Sequence, residues 1–158
     1  MTNGRKKTEN IAIIRPMEDS DIQAVVQLER EIFPDPWPSS SFEEVIADSI
    51  WSVLVMEEGP EIIAYACWLI VDAEAHLTNI AVAKEHRRKS VAQRILEHIL
   101  DNVTTVGCEY VLLEVRPSNK TAIAFYYKHD FKFKYTRPNY YRQPPEDAMV
   151  MVRYLHKK

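Results

Sequence analysis

The chain has 158 residues, 46% of them hydrophobic, with 20 lysines and arginines against 23 aspartates and glutamates and a formal net charge of −3. That length suits one domain with a core of its own, and the charge balance argues against general nucleic-acid binding by phosphate neutralisation. Basic residues gather only at Arg5 to Lys7, at His86 to Lys89 and at the C-terminus. Cys67 and Cys108 lie in apolar runs and read as small core residues of a reduced, cytoplasmic protein. The five histidines show no metal-ligand spacing, so no metal is expected. No apolar run approaches the roughly 20 residues of a membrane span, and the start MTNGRKKTEN lacks an apolar signal core. Neither a membrane nor a nucleic acid is expected as a partner.

A polar leader over residues 1–10 is expected to be flexible, with the folded domain running over 11–158. IAIIR (11–15) reads as a strand and EDSDIQAVVQLEREIF (18–33) as a helix, in which Ile22, Val25, Val26 and Glu29 recur at helical spacing. A proline-broken loop, FPDPWP, leads to a second helix, and Ser40 with Glu43, or Ser41 with Glu44, has capping-box spacing. WSVLVMEE, EIIAYACWLIVD and AEAHLTNIAVA are three strands in close succession, which predicts an antiparallel meander.

From Val91 onward apolar positions Val91, Ala92, Ile95, Leu96, Ile99, Leu100 and Val103 form a wide stripe on a two-sided helix. EYVLLEVR (109–116) is a strongly apolar strand, and the unit NIAV, helix, EYVLLEVR has the length of a strand-helix-strand crossover, so these two strands should be parallel. Pro117, Ser118 and Asn119 end that strand and cap a helix expected over 120–129. FKFKYTR and AMVMVRYL supply two last strands around an irregular PNYYRQPPED, which makes about seven strands in an α/β (α+β) architecture.

Three features carry candidate chemistry. The loop RRKSVA (87–92) stands between a strand and a helix, where free amides and the helix dipole favour an anion, although a solvated basic turn explains the composition equally well. Glu114 sits mid-strand among apolar neighbours, on the face it shares with Leu112 and Arg116, a setting suited to taking up a proton. The alternative is a carboxylate paired with an arginine on a solvated face. Tyr126, on the following helix, is a core tyrosine or a proton donor, and the adjacent Tyr127 is easily confused with it.

LTNIAVAKEHRRKSVAQRIL resembles the acetyl-CoA-binding motif of the GNAT superfamily of N-acetyltransferases, with Arg87, Ser90 and Ala92 at the motif positions. With LLEVRPSN, AIAFYYKHDF, RPNYY and EDAMVM, the chain over about 11–155 is similar to the ribosomal-protein-alanine N-acetyltransferases within it. The resemblance implies a single GNAT domain: a mixed, mostly antiparallel sheet with helices on both faces and a parallel pair splayed at the acetyl-CoA site. It implies that Ile80, Ala81 and Val82 hold the pantetheine arm, that Arg87 and the amides of Arg88, Lys89, Ser90, Val91, Ala92 and Gln93 hold the pyrophosphate, and that Asn119 contacts the cofactor. Glu114 would be the general base and Tyr126 the general acid, while Trp37, Asn139, Tyr140 and Tyr141 would lie near the peptide entrance. The implied acceptor is a protein N-terminal α-amine, of a ribosomal protein in particular, and the donor is acetyl-CoA.

Two positions depart from the family pattern, Ser90 and Asp130, where glycine is usual. A positive φ at Ser90 would cost roughly 1 to 2 kcal/mol, while its hydroxyl could still donate to a phosphate. Two other readings stay open on sequence: transfer to a small amine or a lysine, and an acyl-CoA-binding module without catalysis.

Overall fold

A computed structural model of the chain describes residues 11–155, so the leader expected to be flexible lies outside the described residues. Seven strands form one sheet in the order β1-β2-β3-β4-β5-β7-β6. In chain order these are β1 (Ala12–Pro16), β2 (Trp51–Glu58), β3 (Glu61–Val71), β4 (Glu74–Val82), β5 (Tyr110–Val115), β6 (Lys132–Arg142) and β7 (Pro145–Tyr154). All neighbours are antiparallel except β4 and β5. The meander and the parallel crossover expected from the sequence are both present.

Helices cover both faces. Strand alternation on β3 sends Tyr65 and Cys67 toward α1 (Ile22–Ile32) and α2 (Ser39–Ala47), where they meet Val25, Val26 and Phe42. Ala64, Ala66 and Trp68 point the other way, into the cluster under α3 (Val91–Val106). The stripe read on α3 is the buried one: Val91, Ile95, Leu96, Ile99, Leu100 and Val103 are all out of solvent. Each such side chain contributes about 1.5 to 3 kcal/mol on burial, so truncating Ile99 alone would cost about 2 to 5 kcal/mol. Gly107, at φ 101°, ends α3 in the left-handed conformation that only glycine adopts without strain. Both cysteines are free and buried.

Three local expectations need correction. The first helix opens as a 3-10 turn over Asp19–Asp21, because the Asp21 carboxylate is drawn back to the Glu18 amide (2.8 Å) and to the Arg15 guanidinium (2.7 Å). Neither serine pair forms a capping box on α2, since that helix already begins at Ser39 behind an extended Pro38. The segment expected to be irregular is largely strand: β6 runs through to Arg142 and turns directly into β7, with the irregularity confined to a register shift between Arg137 and Tyr141. Asn139 takes a positive φ of 55° there, and its amide donates to the Asp147 carboxylate at 2.8 Å. A bulge held by a side chain absorbs the proline that argued against a strand.

What positions the site is the end of the β4–β5 pairing. The parallel rungs run from Glu74↔Tyr110 to Leu77↔Leu113 and stop. At that point β4 carries a bulge: Trp68 pairs with Leu77 and Cys67 with Asn79, and the Thr78 left between them donates its hydroxyl to the Cys67 carbonyl at 2.9 Å. A bulge bends its strand. β4 therefore turns away from β5 one residue beyond the last shared rung, and Glu114 is the first β5 residue past it.

Candidate active site

Glu114 and its neighbours come from three strands. Its side chain is 10% exposed, and both carboxylate oxygens are engaged. Oε2 lies 2.5 Å from His76 Nε2 of β4, and Oε1 accepts from the Arg137 guanidinium of β6 at 3.1 Å. The geometry combines the two readings left open on sequence, since Glu114 meets an arginine and is nevertheless largely shielded from water.

Tyr140 and Tyr141 follow the bulge of β6 and stack edge to face, with ring centres 4.9 Å apart. The Arg137 guanidinium lies 5.5 Å from the Tyr140 ring, and that of Arg116 lies 4.1 Å over Tyr141. Burial, with the nearby Glu114 carboxylate adding to it, raises the Tyr140 phenol. Burial likewise pushes Tyr141 up. Arg116 also donates to the Pro144 carbonyl at 2.9 Å and pairs with Glu146, which accepts from the Ser118 amide at 2.7 Å. The turn between β6 and β7 is thereby tied to the end of β5, which holds both tyrosines near Glu114.

Tyr126 lies on α4 (Lys120–Lys128) and packs against the cluster under α3, whereas Glu114 alternates onto the opposite face of β5. The bulge in β4 opens the sheet between those two faces. Burial pushes the Tyr126 phenol up to about 12, so it holds its proton through the neutral range. Tyr127 is exposed, which separates the two tyrosines that sequence spacing alone leaves interchangeable.

The basic loop stands where the sequence puts it. The first α3 hydrogen bond runs from the Arg94 amide to the Ser90 carbonyl at 3.0 Å, so Val91, Ala92 and Gln93 have no helical partner for their amides. Arg88 and Ser90 both take left-handed φ, 62° and 60°. Ser90 thus adopts the conformation that favours glycine at this position, and Arg88 shares it without any signal in its residue type. Arg87 turns back, its Nε donating to the Val82 carbonyl at 3.3 Å, and so braces the loop against β4. Past Leu77, β4 remains paired to β3 only, which leaves the Ile80–Val82 edge open toward β5 apart from the Val82 carbonyl that Arg87 occupies. Free amides at a helix start beside an open strand edge suit a ligand with an anionic end and an amide-bearing arm. Asn119 uses Oδ1 to cap α4, accepting from the Ala122 amide at 3.2 Å.

Trp37 is engaged away from Glu114. Its ring meets Phe42 at 5.5 Å and Trp51 at 6.2 Å, and its amide donates to Glu29 Oε1 at 3.1 Å. Glu29 itself is 1% exposed, with the Tyr65 hydroxyl donating to its other oxygen and the Asn79 amide group at 3.4 Å. Burial pushes its carboxyl up to about 7, opposed by the Trp37 and Asn79 donors. Sequence reasoning gave no role to His76, Arg137 or Glu29. For Glu29 a signal existed, because a carboxylate at a helical repeat of buried positions must find partners inside. For His76 and Arg137 none did, since only the sheet brings them to Glu114. No cluster with metal-binding potential occurs among the described residues.

The chain over residues 22–131 matches the acetyltransferase (GNAT) family. It is 31% identical over 141 residues to the [ribosomal protein bS18]-alanine N-acetyltransferase of Escherichia coli K12, covering 88% of this chain and 95% of that protein. The crystal structure of the E. coli ribosomal-protein-S18-alanine N-acetyltransferase superposes with a TM-score of 0.85 at 28% identity, over 94% of this chain and 96% of that one. The Arabidopsis thaliana NAA60 in complex with acetyl-CoA shares the fold, with a TM-score of 0.83 at 19% identity over 92% and 99% of the two chains. The protein belongs to the GNAT acetyltransferase family. Its fold and reaction class are those the resemblance implied.

Proposed function

We propose that this acetyltransferase moves the acetyl group of acetyl-CoA to a protein N-terminal α-amine, in the manner of a ribosomal-protein-alanine N-acetyltransferase. The observation that carries the reading is the position of Glu114. It is the first residue of β5 beyond the last rung shared with β4, and Tyr140 and Tyr141 stand close enough to feel its charge. A carboxylate there is suited to taking a proton from an amine entering where β4 parts from β5, since β5 stays paired to β7 throughout. The likeness to proteins named for alanine N-acetylation supports the acceptor class.

The donor is held by the parts the site offers: the amides from Arg88 to Gln93 for the pyrophosphate, and the open edge of Ile80, Ala81 and Val82 for the pantetheine arm. Asn119, at the start of α4, contributes from the other side. An acyl thioester supplies an activated carbonyl whose leaving group is a thiolate. Glu114 takes the proton shed by the amine and Tyr126 gives its hydroxyl proton to the departing sulfur. Direct attack needs no protein nucleophile, and Cys67 is unsuited to that role because burial raises its thiol far above the usual range.

Proton energetics permit an α-amine acceptor, while the family likeness is what points to it. Neutralising an α-amine at pH 7 costs about 1.4 kcal/mol, against about 4.6 kcal/mol for a lysine amine. One carboxylate meets the first demand far more easily than the second. Asn139, Tyr140 and Tyr141 line the approach for the first residues of the acceptor. We place the reaction in the cytoplasm, where buried free thiols persist.

The test is the intact mass of two short peptides after incubation with the protein and acetyl-CoA, one with a free N-terminal alanine and one blocked at its α-amine. One acetyl group on the free peptide alone is the expected result. Acetyl on a lysine of the blocked peptide, or on neither peptide, overturns the acceptor assignment.

A further inference from the structure

Glu114 is shielded from bulk water, yet a base that turns over must pass its proton on. Its two oxygens touch one group each, Arg137 and His76. A guanidinium keeps its protons and cannot receive another. An imidazole exchanges protons readily near neutral pH and carries them between two nitrogens. The His76 side chain is 27% exposed against 10% for Glu114, so the imidazole reaches from the carboxylate toward solvent.

We propose that His76 is a positioning and proton-relay residue, which orients the Glu114 carboxylate and carries its proton out of the cleft. This rests on the reading of Glu114 as the base. The proton balance is complete without another reactant. An α-ammonium gives one proton to Glu114, which passes it through His76 to solvent. The neutral nitrogen then bonds to the thioester carbon, and the carbon–sulfur bond breaks with its electron pair on sulfur. Sulfur takes the Tyr126 hydroxyl proton. The proton that nitrogen loses on becoming an amide leaves by the same Glu114–His76 route, and Tyr126 recovers one from solvent. One proton is released per acetyl transferred.

The surroundings favour this role over an inert ion pair. His76 pairs across the sheet with Leu112 on β5 and Leu69 on β3, so its own strand partners offer it no second acid or base. From β6, Arg137, Tyr140 and Tyr141 face Glu114. On β5, Arg116 is occupied by Glu146 of β7. Both phenols are raised, which keeps them protonated and out of the exchange. Among these groups the imidazole is the one with two ring nitrogens through which a proton can be passed on.

The experiment compares wild type, His76→Gln and His76→Gly. Gln keeps a donor for Glu114 and cannot relay, and Gly admits free imidazole from the buffer. On the N-terminal-alanine peptide from pH 6 to 9, His76→Gln is expected to lose about 10- to 100-fold in kcat/KM with an altered pH profile and an unchanged KM for acetyl-CoA. Added imidazole should restore part of the activity of His76→Gly. A His76→Gln variant within twofold of wild type, with the same pH profile, overturns the proposal. The slow hydrolysis of acetyl-CoA without peptide, where water takes the amine's place, is read on the same variants. Hydrolysis that depends on His76 in a protein that leaves the peptide unmodified upholds the relay while the acceptor assignment falls. Inactivity of the wild type in both assays overturns both. Independently of turnover, proton NMR of the ligand-free protein should show a downfield imidazole N–H resonance that is lost in Glu114→Gln, and its absence from the wild type overturns the pairing.

Discussion

The Phe131 amide donates to the Tyr126 carbonyl at 3.1 Å, and the two rings meet edge to face with centres 5.5 Å apart. With the Asp130 amide on the Tyr127 carbonyl at 3.2 Å, this is a Schellman ending, in which Asp130 occupies the left-handed position at φ 65°. The end of α4 therefore sets where the Tyr126 ring lies. Asp130→Gly removes the Cβ penalty and leaves the hydrogen bonds in place. It is expected to stabilise the fold by about 1 kcal/mol, read as a higher urea midpoint at unchanged kcat. A lower midpoint would mean that the aspartate side chain makes a contribution larger than the strain.

Ser90 tests the same physics at the start of α3. Its φ of 60° belongs to the folded loop and does not depend on a ligand. Ser90→Gly should therefore raise stability, again by about 1 kcal/mol. It should alter acetyl-CoA affinity only through the missing hydroxyl, within about tenfold. Ser90→Val, β-branched at a left-handed position, should lower stability by more than Ser90→Gly raises it. Denaturant titration with and without acetyl-CoA separates the two effects. A large affinity gain in Ser90→Gly at unchanged stability would mean that the strain develops only on binding.

The frame was legible because periodicity reports burial directly. The α3 stripe, the alternation of VLLEVR and the crossover length each fix an element by its own residues. Candidate site residues could be named singly from the sequence, but the contacts among them could not. His76 and Glu114 are 38 positions apart, and their meeting depends on which rung of a parallel pair is the last one. That rung is set by a one-residue bulge at Thr78, which has no distinct signature in AHLTNIAV. The strand through Pro138 was hidden for a different reason. A proline reads as a break unless a bulge accommodates it, and the Asn139–Asp147 contact that holds this bulge joins two strands.

Glu114→Gln keeps the size of the side chain and one hydrogen-bond acceptor, and removes the carboxylate proposed as the base. Turnover on an N-terminal-alanine peptide should fall about 10- to 1000-fold, while acetyl-CoA affinity changes little because Glu114 faces away from the loop amides. Steady-state rates beside calorimetric binding give both quantities. Turnover equal to wild type would take the base role from Glu114.

Tyr126→Phe keeps the ring on Phe131 and Phe125 and deletes only the hydroxyl. With the phenol pushed up to about 12, the wild-type group is a proton donor across the whole assay range. The loss should be about 10- to 1000-fold with acetyl-CoA and smaller with acetyl thioesters of more acidic thiols, which leave without help. An equal loss for every thioester would reduce Tyr126 to a packing role.

Glu29 predicts a pH dependence of stability. Its carboxyl is raised from an ordinary 4.5 to about 7 by burial, so the folded protein binds this proton more tightly than the unfolded chain does. The associated stabilisation is complete below about pH 4.5 and is lost as pH rises through about 7. The loss amounts to about 3 kcal/mol. Glu29→Gln keeps an acceptor for the Trp37 amide and carries no titrating group, so its stability should lack this term. Urea midpoints of both proteins between pH 5 and 8 should converge, or cross in favour of the variant, as pH rises. Parallel curves would mean that the Tyr65, Trp37 and Asn79 donors stabilise the carboxylate enough to cancel its desolvation. Because Glu29 ties the Trp37 loop to β3 and β4, its ionisation above pH 7 should also loosen that loop. Trp37 fluorescence, read in a Trp51→Phe and Trp68→Phe background, should shift with pH through the same interval and stay flat once Glu29 is replaced by Gln.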